Sequence, residues 1–167
     1  VTLARSNSKI ASGLPTLDAH RRAVETLATA LRPHRNWYLD LANERNVRDQ
    51  RFVSIAELKE LRAVVKRLDS RRLVTASAGH DISRDDLREY LTTVGVDLVC
   101  PHRPRDAASP KQTEAKSREY LAWIRDLGRV VPLHYQEPLR TGYVKWQPKA
   151  DDFVTDLRGA QAGGAAG

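Results

Sequence analysis

The stretch "WYLDLANERN", residues 37–46, begins apolar and turns polar at Asn43, Glu44 and Arg45. A short apolar run closed in this way reads as a buried strand over residues 37–42 that leaves the core at Asn43 and Glu44. The next segment has a different period. Ile55, Leu58, Leu61, Val64, Val65 and Leu68 recur at helical spacing across residues 54–68, which makes one apolar stripe for packing on a sheet. Strand followed by helix is therefore the unit to look for elsewhere.

The unit recurs. Upstream, Leu17, Val24, Leu27, Ala28 and Leu31 predict a helix over residues 16–31, with Thr16 or Asp18 near its N-cap and Pro33 just past its end. Downstream, residues 73–78 predict a strand leading through Gly79 and Asp81 to a helix over 83–93, where Ser83 and Asp86 form a capping pair. A strand over 96–100, a Pro-rich loop over 101–110 and a helix over 111–127 come next. A strand over 130–135 and a helix over 151–160 close the series. The small-residue tail "GAQAGGAAG", residues 159–167, reads as a flexible exit. Parallel neighbours require crossover helices, so this alternation predicts one α/β domain in the order α(βα)4. Half of an eightfold barrel and a small open doubly wound sheet both fit the spacing.

Composition narrows the function classes. The 167 residues, 41% of them hydrophobic, suffice for one core. Apolar runs such as residues 94–100 are broken by Gly95 and Asp97 and fall far short of the roughly 20 residues that span a bilayer, so no membrane partner is expected. No signal peptide is visible. The net charge of +7 is spread over helix faces and mixed with acidic residues, without a basic stripe interleaved with aromatics, which argues against a nucleic-acid partner. The single Cys100 leaves no internal disulfide and suits a buried small hydrophobe in a reducing compartment. With no methionine anywhere, the chain is expected to be an excised or incomplete piece. No Gly-rich loop follows any strand, so no nucleotide cofactor is expected.

In either architecture, chemistry collects where strands end and βα loops begin. Those ends carry Asn43 and Glu44, then Ser77 and His80, then His102, Arg103 and Arg105, then His134, Gln136 and Glu137. Glu44 and Glu137 stand at the first and fourth ends and would face one another across a curved sheet. Paired carboxylates suit glycoside hydrolysis, one protonating the leaving oxygen and the other attacking the anomeric carbon. The bland alternative makes them loop or helix-cap carboxylates. His102, His134 and Glu137 could form a two-histidine, one-carboxylate metal set, but no tight local spacing supports it and no metal is expected. Arg103 could bind a glycan hydroxyl or pair with Asp106. Asp40, inside a strand, needs a partner such as an arginine or a buried water. Trp37 and Trp123 read as core, whereas Tyr143 and Trp146, after the fourth strand, read as a sugar-stacking platform or a hydrophobic lid.

Two segments resemble a known clan. "WYLDLANERN" is similar to strand four of the retaining glycoside hydrolases with TIM barrels, which include cellulase-like families, and "VVPLHYQEPLR" resembles their strand seven. The resemblance covers nearly the whole chain as strands four to seven, with "VTLARS" as the end of strand three, and implies an incomplete barrel domain over residues 1–167. It implies that Glu44 is the acid/base, Glu137 the nucleophile, and Asn43 a ligand of the substrate 2-hydroxyl, with an oligosaccharide or polysaccharide as substrate. His102 matches a strand-six His-x-Tyr position, but Pro104 replaces the tyrosine, a role Tyr135 could take. Trp146 would contribute to substrate binding. The clan's strand-two arginine and strand-eight aromatic have no counterpart. A partial barrel of this kind is expected to be inactive alone and to self-associate through its exposed sheet edges.

Overall fold

The computed structural model describes residues 1–3, 14–47, 51–142 and 145–166. Helix α1 (Leu17–Ala30) starts at Thr16, whose hydroxyl accepts the Ala19 amide, and turns Val24 and Ala28 into the core. Strand β1 (Leu39–Asp40) follows, then α2 (Ile55–Leu68), opened by a reciprocal Ser54–Glu57 capping box and burying Leu58, Leu61, Val64 and Val65. Strand β2 (Val74–Thr75) leads to α3 (Arg84–Arg88), capped by Ser83. Its continuation, Glu89–Val94, is π-helical and ends at left-handed Gly95, with the Tyr90 carbonyl accepting both the Gly95 and Val96 amides. Helices α4 (Ser109–Asp126) and α5 (Ala150–Gly163) complete the order.

The chain is α/β, and its strand contacts are parallel. Strands β1 and β2 pair in parallel, and isolated parallel bridges join Thr2 to Asp40, Ala78 to Pro101 and Val99 to Leu133. Residues 1–3, β1, β2, the segment through Val99 and the segment through Leu133 thus lie side by side in chain order. Leu39, Leu41, Val74, Ala76, Val96, Val99 and Leu133 are buried in that layer.

Regular ladder is much shorter than the runs of five or six residues that the apolar pattern predicts. Side chains intercept the donors. The Asp97 carboxylate takes the Val74 amide at 3.0 Å, and Asp40 takes the Ser77 amide at 3.0 Å. Prolines at 101 and 132 remove two more donors. The four segments keep their places in the layer while losing regular strand geometry.

Residues 159–163, placed in a flexible tail by composition, are instead the last turns of α5. The reason is close helix packing. A Cβ on Gly163 would collide with the Ser117 Cβ, and one on Gly159 would lie 3.1 Å from the Glu114 amide nitrogen, so α5 can rest on α4 only through small residues. Left-handed Gly164 caps the helix, and the Ala166 amide bonds the Leu133 carbonyl at 2.8 Å. Among the described residues, no helix is long and apolar enough to cross a membrane.

Candidate active site

Among the described residues, three other than glycine have left-handed backbones, and each follows one of the parallel segments: Glu44 at φ 47°, His80 at φ 62° and Arg103 at φ 45°. Such conformations are disfavoured for L-residues and persist where surrounding structure imposes them. At Glu44 the next strand imposes it. The Glu44 amide donates to Ser77 Oγ at 2.9 Å, and the Arg45 amide donates to the Ser77 carbonyl. Asparagine tolerates this conformation better than glutamate, yet the turn falls on Glu44 rather than on Asn43.

That turn aims Glu44 at His102. The imidazole is 1% exposed, and its Nδ1 lies 3.1 Å from Glu44 Oε1 and 3.8 Å from Glu137 Oε2. One carboxylate oxygen of each glutamate and His102 Nδ1 all lie within 4.8 Å of one another. The Glu44 side chain is 22% exposed and the Glu137 side chain 39% exposed. Arg105 Nη2 donates to Glu137 Oε2 at 2.7 Å. The two glutamates thus differ in environment: one rests on a buried imidazole, the other on a guanidinium.

Beneath the pair lies Asp40, fully buried. Its Oδ1 accepts the Ser77 and Ala42 amides and its Oδ2 accepts Gln136 Nε2 at 3.2 Å, so the partners are amides rather than the expected arginine. Burial raises the pKa of this carboxyl above the ordinary value, against the lowering effect of the Ser77 bonds. Burial likewise pushes the Cys100 thiol up to about 12, which keeps it a neutral hydrophobe.

The remaining candidates separate. Asn43 stays beside the pair, its Oδ1 accepting from Ser77 Oγ at 3.4 Å. Tyr135 is buried, and its hydroxyl meets Ser117 of α4 at 2.9 Å, so the structure turns it toward the helices. Trp146 is half-buried after the Glu137 loop, and Tyr143 lies outside the described residues. Arg103 pairs with Asp81 rather than Asp106, which instead accepts the Ala108 and Ser109 amides at the start of α4. His134 packs edge-on against Tyr38, with ring centroids 5.7 Å apart. Among the described residues, the three-residue set able to hold a cation is therefore Glu44, His102 and Glu137, not the pair of histidines, and Arg105 already supplies positive charge to it.

Sequence reasoning missed Arg105 as the partner of Glu137, and it missed Asn46. The Asn46 amide pairs with the Gly79 backbone in both directions, accepting from its N–H at 2.7 Å and donating to its carbonyl at 3.0 Å. No local signal marks that contact, because its halves lie in different loops.

An α/β domain with parallel strands and a carboxylate pair at the strand exits is the class these observations define. The backbone is similar to that of the Thermobacillus composti GH10 xylanase, with a TM-score of 0.56, 16% identity, and coverage of 83% of this chain and 47% of that one. The chain thus spans about half the length of that protein, and at this identity the likeness concerns the fold. No protein-family model matches the chain, and no curated protein matches it.

Proposed function

We propose that the chain is four βα units of a (β/α)8 barrel, strands four to seven, that hydrolyses O-glycosidic bonds of an oligosaccharide or polysaccharide with retention. The observation that carries this reading is the Glu44–Glu137 approach within 4.8 Å. Retaining pairs stand about 5 to 5.5 Å apart, whereas inverting pairs need about 6.5 Å or more to admit a water. Glu44 protonates the leaving oxygen while Glu137 attacks the anomeric carbon, giving a glycosyl-enzyme ester. Water then attacks that carbon with Glu44 as base, releasing the sugar and restoring both carboxyls. Arg105 holds the Glu137 carboxylate in place through its 2.7 Å contact. Asn43 binds the substrate 2-hydroxyl and His102 orients the pair, while Trp146 borders the sugar path and Tyr135, bonded to Ser117, does not reach it.

In a closed barrel containing this chain, Glu137→Gln should lower turnover of an activated aryl glycoside by roughly a thousandfold or more. Turnover retained in that variant overturns the assignment. The chain by itself, offering one side of a cleft, is expected to show negligible turnover and to associate through its sheet edges, as sedimentation would reveal. A second reading, a carbohydrate-binding barrel without catalysis, draws on Arg105 occupying the Glu137 oxygen at 2.7 Å. Oligosaccharide binding by calorimetry, with no release of reducing sugar from the closed barrel, would select it.

A further inference from the structure

We infer that Asn46 is a positioning residue for Glu44, acting through Gly79; this rests on the hydrolase reading, in which Glu44 is the acid/base. The Asn46 carboxamide takes both hydrogen-bonding groups of Gly79, at 2.7 Å and 3.0 Å. Such two-point pairing fixes the Gly79 peptide in distance and orientation, as one bond could not. That peptide is a wall for the catalytic side chain. A Cβ at Gly79 would lie 3.3 Å from both Cβ and Cδ of Glu44, and 2.6 Å from Val47 Cγ2. Glu44 is therefore held between two surfaces, the bare Gly79 backbone and the His102 imidazole 3.1 Å from its carboxylate.

The brace meets a specific need. Glu44 sits in a left-handed turn that a glutamate does not favour, at φ 47°. Its backbone is held by Ser77, but nothing in that bond orients the two outer torsions of the side chain. Asn46 lies in the same turn, two residues on, and reaches across to the next strand exit. It ties the loop that carries Glu44 to the wall that limits it. Proton donation needs the carboxyl within hydrogen-bond reach of the leaving oxygen, so a wall displaced by an ångström weakens acid catalysis without touching Glu137.

The test reads the Glu44–His102 bond directly, in the 167-residue chain and without substrate. Its Nδ1–H is observed by proton–nitrogen NMR in the imidazole region and assigned by its loss in His102→Gln. The parent should give a slowly exchanging signal. In Asn46→Ala its protection from solvent exchange should fall about tenfold more than that of core amides in the same variant, which sets the local loosening apart from any loss of global stability. Asn46→Asp keeps the acceptor for the Gly79 N–H and loses the donor to its carbonyl, so an intermediate loss is expected and guards against misfolding of the alanine variant. Unchanged protection in both variants, or no such signal in the parent, overturns the inference. In a closed barrel, Asn46→Ala should slow glycosides with poor leaving groups about tenfold more than dinitrophenyl glycosides, which need little proton donation. Equal losses on both also overturn it. Failure of the hydrolase reading is separate, because it appears as turnover that survives Glu137→Gln.

Discussion

The two ends of the parallel layer use buried charge in opposite ways. At the end where strands begin, Arg72 is 3% exposed, stacks 3.8 Å from the Trp37 ring centroid, and donates to the carbonyls of Leu31, Arg32, His34 and Trp37 while pairing with Asp69 at 3.0 Å. That cluster ties the exit of α1 to the start of β1 through carbonyls and one carboxylate. At the end where strands leave, Glu44, His102, Glu137 and Arg105 form a half-open cluster beside three strained turns. The first arrangement spends charge on holding the layer together. The second keeps carboxylates reachable while a buried imidazole and a guanidinium surround them, the arrangement on which the proposed acid/base chemistry rests.

Glu137→Gln should separate the ends most sharply, removing turnover by about three orders of magnitude in a closed barrel while shifting unfolding free energy by under about 1 kcal/mol. A stability loss as large as that of a buried-network variant would erase the distinction. Arg72→Ala is the converse. It strands the carbonyls, leaves Asp69 to Arg35 alone, and should destabilise the chain by about 3–5 kcal/mol in denaturant melts. A loss below about 1 kcal/mol would show that the cluster does not hold the layer.

A smaller effect is expected at Asp40, beneath the exit end. Its folded pKa is raised by burial, so the folded state binds its proton more tightly than the unfolded one. Stability from this group is therefore full below the ordinary value of 3.8 and is lost as pH climbs through the raised folded value. Asp40→Asn stays neutral, and a flip of the Gln136 carboxamide, whose Nε2 now faces Asp40, would present Oε1, buried without a partner, to the new N–H. The variant should be more stable than the parent at neutral pH, with the gap closing in acid; a gap that widens in acid contradicts the assignment. The smallest effect should come from His80→Gly. It relieves a left-handed turn at an exposed side chain and should stabilise by a few tenths to about 1 kcal/mol. Destabilisation would show that His80 contributes contacts that outweigh its strain.

Helices were the most legible part of the chain. Thr16 and Ser83 cap the helices they were expected to cap, because a cap is a contact three residues long, and Ser54 caps α2 in the same way. The strands were legible in place and order but not in regularity, since Asp97 and Asp40 capture amides from segments far away in sequence. The tail misled for a related reason. Glycine and alanine look alike in a loose exit and in a tight helix contact, and only Ser117 and Glu114 across the interface distinguish them.

For the site, the residue types at the strand exits already placed Glu44, His102 and Glu137 at one end of the layer, because alternating strand and helix determines which residues leave the core together. What only the tertiary structure decided is how closely they meet and what surrounds them. His102 lies between the carboxylates, Arg105 rests on Glu137, Asn46 clamps the wall beside Glu44, and Tyr135 turns away to Ser117. Spacing along the chain sets the strand from which a side chain comes. The twist of the layer and the left-handed turns at its exits set where that side chain points, and no local pattern in the sequence encodes them.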